Sequence, residues 1–442
     1  MEPRLGLLRQ APEAHEVNEL ARPGVAPGAS ADEADSLDAR VRFLTELGRR
    51  LHIAGVSASR LEGAVHATAR SLRISAEIWS TPTGLLLSLG DGDSLRGSQQ
   101  TRVLRLEPGH VNLAALAALE GIVEDVIAGR LDVSAGWDAL RALDRPTSKR
   151  QQLANVAAFG LAAAAVAGLL RTDWLDISVA GVLGLVIGWI ALLSTTRPHL
   201  AAASEAVAAL VATSLATMFA HFVAPLSLQT VIVASLIVLM PGLTLTTAVA
   251  ELATQQLASG TARFAGALMT LLKLTFGSVA ATQLMTALGW TPQQAVPMVL
   301  PAVVEVIGAL LAAASFAILF RAARRDVPLV MASAILGYVI TRVSGSWLGE
   351  GAFSGGVFIA SLTIAALSNL YGRSRGRPGI IVRVPGIMLL VPGSVGFRAL
   401  GAVMERDYAL GVDTLVAVLS ALLALVAGLL FGSLLIPPRK YL

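Results

Sequence analysis

Between residues 153 and 436 the chain carries about ten apolar runs, most of them long enough to cross a bilayer, which takes roughly 20 helical residues. They lie at 153–170, 175–193, 201–223, 228–252, 264–288, 296–320, 327–340, 353–370, 380–403 and 414–435, the seventh being the shortest. The chain of 442 residues is 55% hydrophobic and only 14% charged, whereas a soluble domain carries about 25% charged residues. So few charges cannot cover a surface of this size in water. The sequence therefore predicts an α-helical polytopic membrane protein. Its apolar mass is mostly Ala, Leu, Val and Gly, which suits close helix packing in lipid.

A soluble segment precedes the runs. Residues 1–36 are rich in Ala, Pro, Gly and Glu without hydrophobic period, and a disordered tail is expected there. The first residues mix charges with prolines and lack an apolar core, so no signal peptide is expected. Residues 37–145 read as a small cytoplasmic α+β domain. Leu37, Val41, Leu44, Leu47 and Leu51 recur at helical spacing, and Ala54-Gly55-Val56-Ser57 ends that helix and caps a second over 59–72. Strands are predicted at 74–80, 84–89 and 101–106, then helices at 112–128 and 134–143.

The short loops are asymmetric in Lys and Arg. One side collects Arg145, Lys149, Arg150, Arg197, Arg263, Arg321, Arg324, Arg325, Arg373, Arg375, Arg377, Arg439 and Lys440; the other has Arg171, Arg342 and Arg406. Basic loops stay inside, so the soluble domain and both termini are expected in the cytoplasm, with the spans in the inner membrane. Cysteine is absent, which removes disulfides, thiolate metal sites and a cysteine nucleophile. No basic face with stacking aromatics suggests nucleic acid, and no P-loop, paired-histidine motif or nucleophile elbow suggests an enzyme. No cofactor or metal is expected.

Two apolar runs are interrupted by Pro-Gly, at Pro241-Gly242 and at Pro392-Gly393. Proline removes a backbone donor and glycine loosens the chain, leaving amides and carbonyls that hydrocarbon tolerates only inside protein or beside a wet cavity. The breaks fall in the fourth run of each group of five. Five is odd, so the second group must be inverted, predicting two inverted five-helix repeats over 151–290 and 296–438. A smaller echo pairs Thr196-Arg197 and Glu205 with Thr341-Arg342 and Glu350.

The substrate is expected at the breaks, where freed amides at a half-helix N-terminus can meet an anion. Pro241, Gly242, Pro392 and Gly393 would shape that site, and Thr244, Thr246, Thr247 and Ser394 would offer hydroxyls, unless these bond back to the preceding helical turn. Lys273 is a charge within the fifth run; it needs a partner or must snorkel to the interface, and Glu251 is the nearest candidate in sequence. Glu305, in the sixth run, could carry a coupling proton or belong to an interhelical pair. His221 reads as interfacial and Asn369 as a hydrogen bond across helices.

Three stretches resemble the threonine/serine exporter family: Ala54-Gly55-Val56-Ser57-Ala58-Ser59-Arg60-Leu61-Glu62 leading to Thr81-Pro82-Thr83-Gly84; Met240-Pro241-Gly242-Leu243-Thr244-Leu245-Thr246-Thr247-Ala248 with Glu251-Leu252; and Pro385-Gly386-Ile387-Met388-Leu389-Leu390-Val391-Pro392-Gly393-Ser394. The resemblance implies a cytoplasmic domain fused to ten membrane helices and export of small hydroxylated amino acids driven by the proton-motive force. Some relatives have been linked to dicarboxylates such as succinate, so that substrate is an alternative, as is a passive channel or facilitator for the same solutes. The implied partners are threonine, serine or a related metabolite, protons and membrane lipid, with a homo-oligomer left open.

Overall fold

A computed structural model describes residues 36–91, 99–107, 109–144, 148–293, 295, 299–348 and 354–438. The expected disordered tail, Glu350, Arg145, Arg439 and Lys440 lie outside the described residues.

The soluble part begins with α1 (Leu37–Ile53), capped where Ser36 Oγ accepts from the Ala39 amide at 3.2 Å. It turns through a short loop into α2 (Ala58–Ser71). Strands β1 (Ile74–Thr81), β2 (Gly84–Asp91) and β3 (Gln100–Arg105) form an antiparallel sheet in that order, with Thr81 opposite Gly84 across a two-residue turn. Alternation in β2 sends Leu85, Leu87 and Leu89 to one face, where they join Phe43, Leu44, Leu47 and Leu51 of α1 in a single core. Helices α3 (Leu113–Ile127) and α4 (Val133–Ala142) complete that core with Leu116, Leu119, Val123 and Leu140.

The membrane part follows as α5 (Lys149–Leu169), α6 (Trp174–Ser194), α7 (Pro198–Phe222), α8 (Leu228–Leu236) with a single 3₁₀ turn, α9 (Gly242–Ala253), α10 (Leu257–Ala287), α11 (Ala302–Leu319), α12 (Val327–Leu348), α13 (Gly355–Arg375), α14 (Ile380–Met388), α15 (Gly393–Met404) and α16 (Tyr408–Leu435). Among the described residues nine spans are long and apolar enough to cross a membrane, counting α14 and α15 as one, and up to ten if the pair bent by 59° at Pro241-Gly242 is also one span.

Several boundaries differ from the sequence expectation, and three of them reposition charged residues. The seventh span continues past 340 to Leu348, because Thr341 and Ser344 return their hydroxyls to the carbonyls of Gly337 and Ile340 and Arg342 pairs with Glu305. The fifth starts two turns early, at Leu257, where Ser259 and Arg263 are tied to Glu251. The sixth helix starts only at Ala302 behind Pro301, so Glu305 occupies its first turn and not its interior.

Small residues set the helix seams. A Cβ on Gly184 would lie 2.6 Å from Ala163 Cβ, so α5 and α6 approach as closely as glycine allows.

Several local features occur twice, in the same order. Arg171 after α5 and Arg321 after α11 both take positive φ, 55° and 50°, closing their helix ends. Asp176 and Asp326, both almost fully buried, stand at the starts of α6 and α12. Each holds the approach to a broken span: Asp176 Oδ1 accepts from the Ser227 amide at 3.0 Å, and Asp326 Oδ1 pairs with Arg377 at 2.8 Å. Helices of nine and twelve residues then flank each Pro-Gly break. Gln255 and Arg406, with φ 65° and 67°, follow the second helix of each broken pair.

Candidate functional site

The two breaks have one geometry. Pro241 sits at φ −82°, ψ 42° and Pro392 at φ −83°, ψ 40°. In each the following glycine amide donates to the carbonyl before the proline, Gly242 to Met240 at 2.9 Å and Gly393 to Val391 at 3.0 Å, a three-residue inverse γ-turn. The breaks also touch. A Cβ on Gly393 would sit 3.2 Å from Gly242 Cα, and one on Gly242 would strike Val391 Cγ1. The broken spans therefore cross at their glycines, and the missing side chains make the crossing possible.

A cavity of about 200 Å³ opens beside this crossing, toward the soluble domain. One face of α9 lines it with Leu243, Thr246, Thr247, Ala250, Glu251 and Thr254. Arg383, Val384 and Ile387 of α14 and Leu429, Leu430 and Ser433 of α16 form the walls. Gly55, Ser57, Ser59 and Arg60 of the soluble domain lie across its mouth. Pro241, Gly242, Pro392 and Gly393 make the crossing and are absent from the described lining, as are Thr244 and Ser394. Thr246 and Thr247 do face the cavity while bonding back to the carbonyls of Gly242 (3.2 Å) and Leu243 (2.9 Å).

Glu251 joins the two parts of the molecule. Its carboxylate is 2% exposed and accepts from Arg263 Nε at 3.0 Å, Ser259 Oγ at 2.9 Å and the Ala58 amide at 3.0 Å. The Ala58 amide is the first of α2, whose N-cap residue Ser57 supplies no side-chain cap. A membrane-domain carboxylate thus caps the helix that the loop sequence was expected to cap itself, at the end where a negative charge is stabilising. Gly55 makes the approach feasible, with φ +80° and space for a Cβ only 2.9 Å from the Val111 amide. Nearby, Glu62 accepts from the Ser80 amide at 2.8 Å and from Gln256 Nε2 at 3.2 Å; burial pushes its carboxyl above the ordinary range. On the far side the Leu113 amide of α3 donates to Phe320 O at the end of α11, at 2.9 Å.

The expected Lys273–Glu251 pair is not formed. Lys273 Nζ donates to Ala202 O at 3.0 Å and faces Glu205 at 3.5 Å, because α10 turns it toward α7 while Arg263, less than three turns earlier, takes Glu251. Glu305 accepts from Tyr338 Oη at 2.6 Å and pairs with Arg342 at 3.1 Å, an interhelical pair. Glu205 thus faces Lys273 and Arg342 pairs with Glu305, while Glu350 of the sequence echo lies outside the described residues. His221 contacts Thr291 O at 2.9 Å near the helix end. Asn369 bonds across helices, donating to Ile436 O at 2.6 Å and accepting from Arg383 Nη2 at 3.1 Å.

Arg60, Arg263 and Arg383 were not singled out by sequence reasoning. Arg383 carried a usable signal, a charge three residues inside an apolar run. Arg60 appeared only as part of the family-like stretch 54–62 and Arg263 only as a basic loop residue, neither with a sign of its partner.

His52, buried and 3.1 Å from Pro82 O, gives the soluble domain a pH limit. Burial pushes its imidazole below the ordinary 6.5, against the Pro82 bond and aided by the Arg263 charge. The folded state therefore keeps it neutral while the unfolded chain protonates, so stability present above 6.5 is lost as pH falls through the interval below it. Melting of the full chain between about pH 7.5 and about pH 5.5 should show this loss. The loss should shrink in His52→Gln, which keeps a donor for Pro82; an unchanged pH slope would refute it.

The fold and the site define a polytopic helical membrane protein whose cavity is covered by its own N-terminal α+β domain. A family model described as a threonine/serine exporter matches residues 42–285, and a second, "Threonine/Serine exporter, ThrE", matches residues 305–435. The chain belongs to the threonine/serine exporter family. It is similar to "Probable threonine/serine exporter" of Mycobacterium tuberculosis, 28% identical over 74% of this chain and 63% of that protein. It also resembles "Pheromone-regulated membrane protein 10" of Debaryomyces hansenii, 24% identical over 81% of this chain, and of Candida albicans, at the same identity and share. The chain spans 36% and 33% of the length of those two proteins. No solved structure matches it.

Proposed function

We propose that the chain is a secondary exporter of threonine and serine, driven by the proton-motive force, with the substrate held between the crossed broken helices and the soluble domain. The observation that carries this reading is the contact between the two Pro-Gly breaks at Gly242 and Gly393, beside a cavity of about 200 Å³ that presents hydroxyls and charges of both signs. Transporters bind near such paired helix breaks, and rocking of one repeat against the other then alternates access. The features that recur in order, from Arg171 and Arg321 to Gln255 and Arg406, support two inverted five-helix repeats. The Lys and Arg bias of the loops supports a cytoplasmic soluble domain and an inner-membrane location. Thr246 and Thr247 are the hydroxyls placed to meet substrate, with Thr244 and Ser394 at the crossing itself. Glu251, or the Glu305–Arg342 pair, is the candidate for proton coupling, and Lys273 with Glu205 serves structure.

Purified full-length protein in liposomes, with an imposed pH gradient, should concentrate labelled threonine and serine, and an uncoupler should abolish the effect. Pro241→Ala or Pro392→Ala should lower the rate at matched incorporation. Movement of neither amino acid would overturn the substrate assignment. The presence of Arg60 and Arg383 in one cavity favours a second reading, dicarboxylate export, which labelled succinate tests in the same assay. Equilibration without concentration would instead identify a passive facilitator.

A further inference from the structure

We propose that Arg383 and Arg60 form a carboxylate-binding subsite, so that a substrate anion is gripped jointly by membrane helix α14 and by the soluble domain. This rests on the reading that the cavity admits substrate.

Arg383 lies inside an apolar segment, in the span 380–404, where a charge needs a counter-charge or water. Among the described residues it has neither an acid partner nor full hydrogen bonding. Its Nη2 donates to Asn369 Oδ1 at 3.1 Å and Ser433 Oγ at 3.4 Å, both neutral. Its Nε finds no partner, and no carboxylate of the described residues comes within ion-pair distance. Arg60, of the same sign, lines the same cavity. Arg60 also lines a smaller cleft together with Glu120. The cavity's own carboxylate, Glu251, is already engaged by Arg263, Ser259 and the Ala58 amide. The cavity therefore holds Arg383, without a carboxylate partner among the described residues, and a second guanidinium in its lining.

A carboxylate answers both. A guanidinium donates charge-assisted N–H bonds to a carboxylate, and Nε is the donor left without a partner while Nη2 serves Asn369 and Ser433. An anion there would relieve the repulsion between Arg383 and Arg60 and draw the domain onto α14. Ser433, Thr246 and Thr247 remain within the same cavity for a hydroxyl or ammonium group. The soluble domain is then part of the binding site and not only a cover for it.

The test uses the full chain in detergent or nanodiscs and measures binding of four probes: L-threonine, L-threoninol (which has a CH2OH in place of the carboxylate), succinate and acetate. Threoninol should bind the wild type roughly 10- to 100-fold more weakly than threonine, the range expected for loss of a charge-assisted pair. Arg383→Gln should erase that difference, and Arg60→Gln should reduce it. Arg383→Lys, which keeps the charge without the fork, should recover only part of it and keeps the test open if the glutamine variant fails to fold. Equal affinity for threonine and threoninol in the wild type, an unchanged ratio in both glutamine variants, or no binding of any carboxylate probe would overturn the subsite. Threonine export at unchanged KM in Arg383→Gln and Arg60→Gln would also overturn it and leave the exporter reading intact. Succinate binding that depends on Arg383, with no transport of threonine or serine, would uphold the subsite and remove the amino-acid assignment.

Discussion

Glu251→Ala is expected to destabilise the full chain by about 3–5 kcal/mol, the cost of removing one partner from a buried ion pair. The substitution orphans three donors together. Arg263, with its side chain only 15% exposed, loses its carboxylate, Ser259 loses an acceptor, and the first amide of α2 loses its cap. Because the Ala58 contact joins the soluble domain to α9, the same change should loosen the docking of that domain. Limited proteolysis of the α1–α2 loop should therefore accelerate along with the fall in melting temperature. Glu251→Gln, which keeps the shape and an acceptor but not the charge, should fall between alanine and wild type. Adding Arg263→Met to Glu251→Ala should recover part of the loss, since the orphaned charge leaves with its partner. Wild-type melting and wild-type protease resistance in Glu251→Ala would show that Glu251 does not hold the two parts together.

That latch was invisible to sequence for a physical reason. Local pattern reports what recurs at helical or strand spacing, so the core of α1, the alternation of β2 and the apolar spans were all legible. The two Pro-Gly breaks were legible too, because a proline inside an apolar run leaves few alternatives. Pairing across distant elements was not. Glu251 and Lys273 were matched by proximity along the chain, but an early start to α10 brings Arg263 round to Glu251 and turns Lys273 to Glu205. Glu305 looked central to its span because the hydrophobic run extends well before the helix does. The cavity itself lies off the breaks, toward the domain, since its mouth is built by Gly55, Ser57, Ser59 and Arg60 from a segment some two hundred residues earlier. Only the docking of that segment makes Arg383 a cavity residue and not an interfacial one. The resemblance to the threonine/serine exporter family, by contrast, was carried by contiguous motifs, and the family match agrees with it.

Gly242→Val should cost about 1–3 kcal/mol through overpacking and should also abolish transport, because the crossing joins the two repeats proposed to rock against each other. Any side chain at 242 meets Val391 Cγ1, whereas one at 393 meets Gly242 Cα at 3.2 Å, a milder contact with backbone. The two glycines therefore predict different rescues. Gly242→Ala should be restored in stability and transport by Val391→Ala, which removes the methyl in the way. Gly393→Ala should gain little from the same change, since its obstacle is Gly242 itself. Combining Gly242→Ala with Gly393→Ala should depart from additivity, as both press on one contact. Melting temperature and initial transport rate at matched incorporation read all of these variants. Failure of Val391→Ala to rescue Gly242→Ala would mean that the breaks do not cross in the working protein. Rescue there, and not at 393, would place the contact between Gly242 and Val391 at the centre of the transport element, where a single methyl decides whether the two spans can meet.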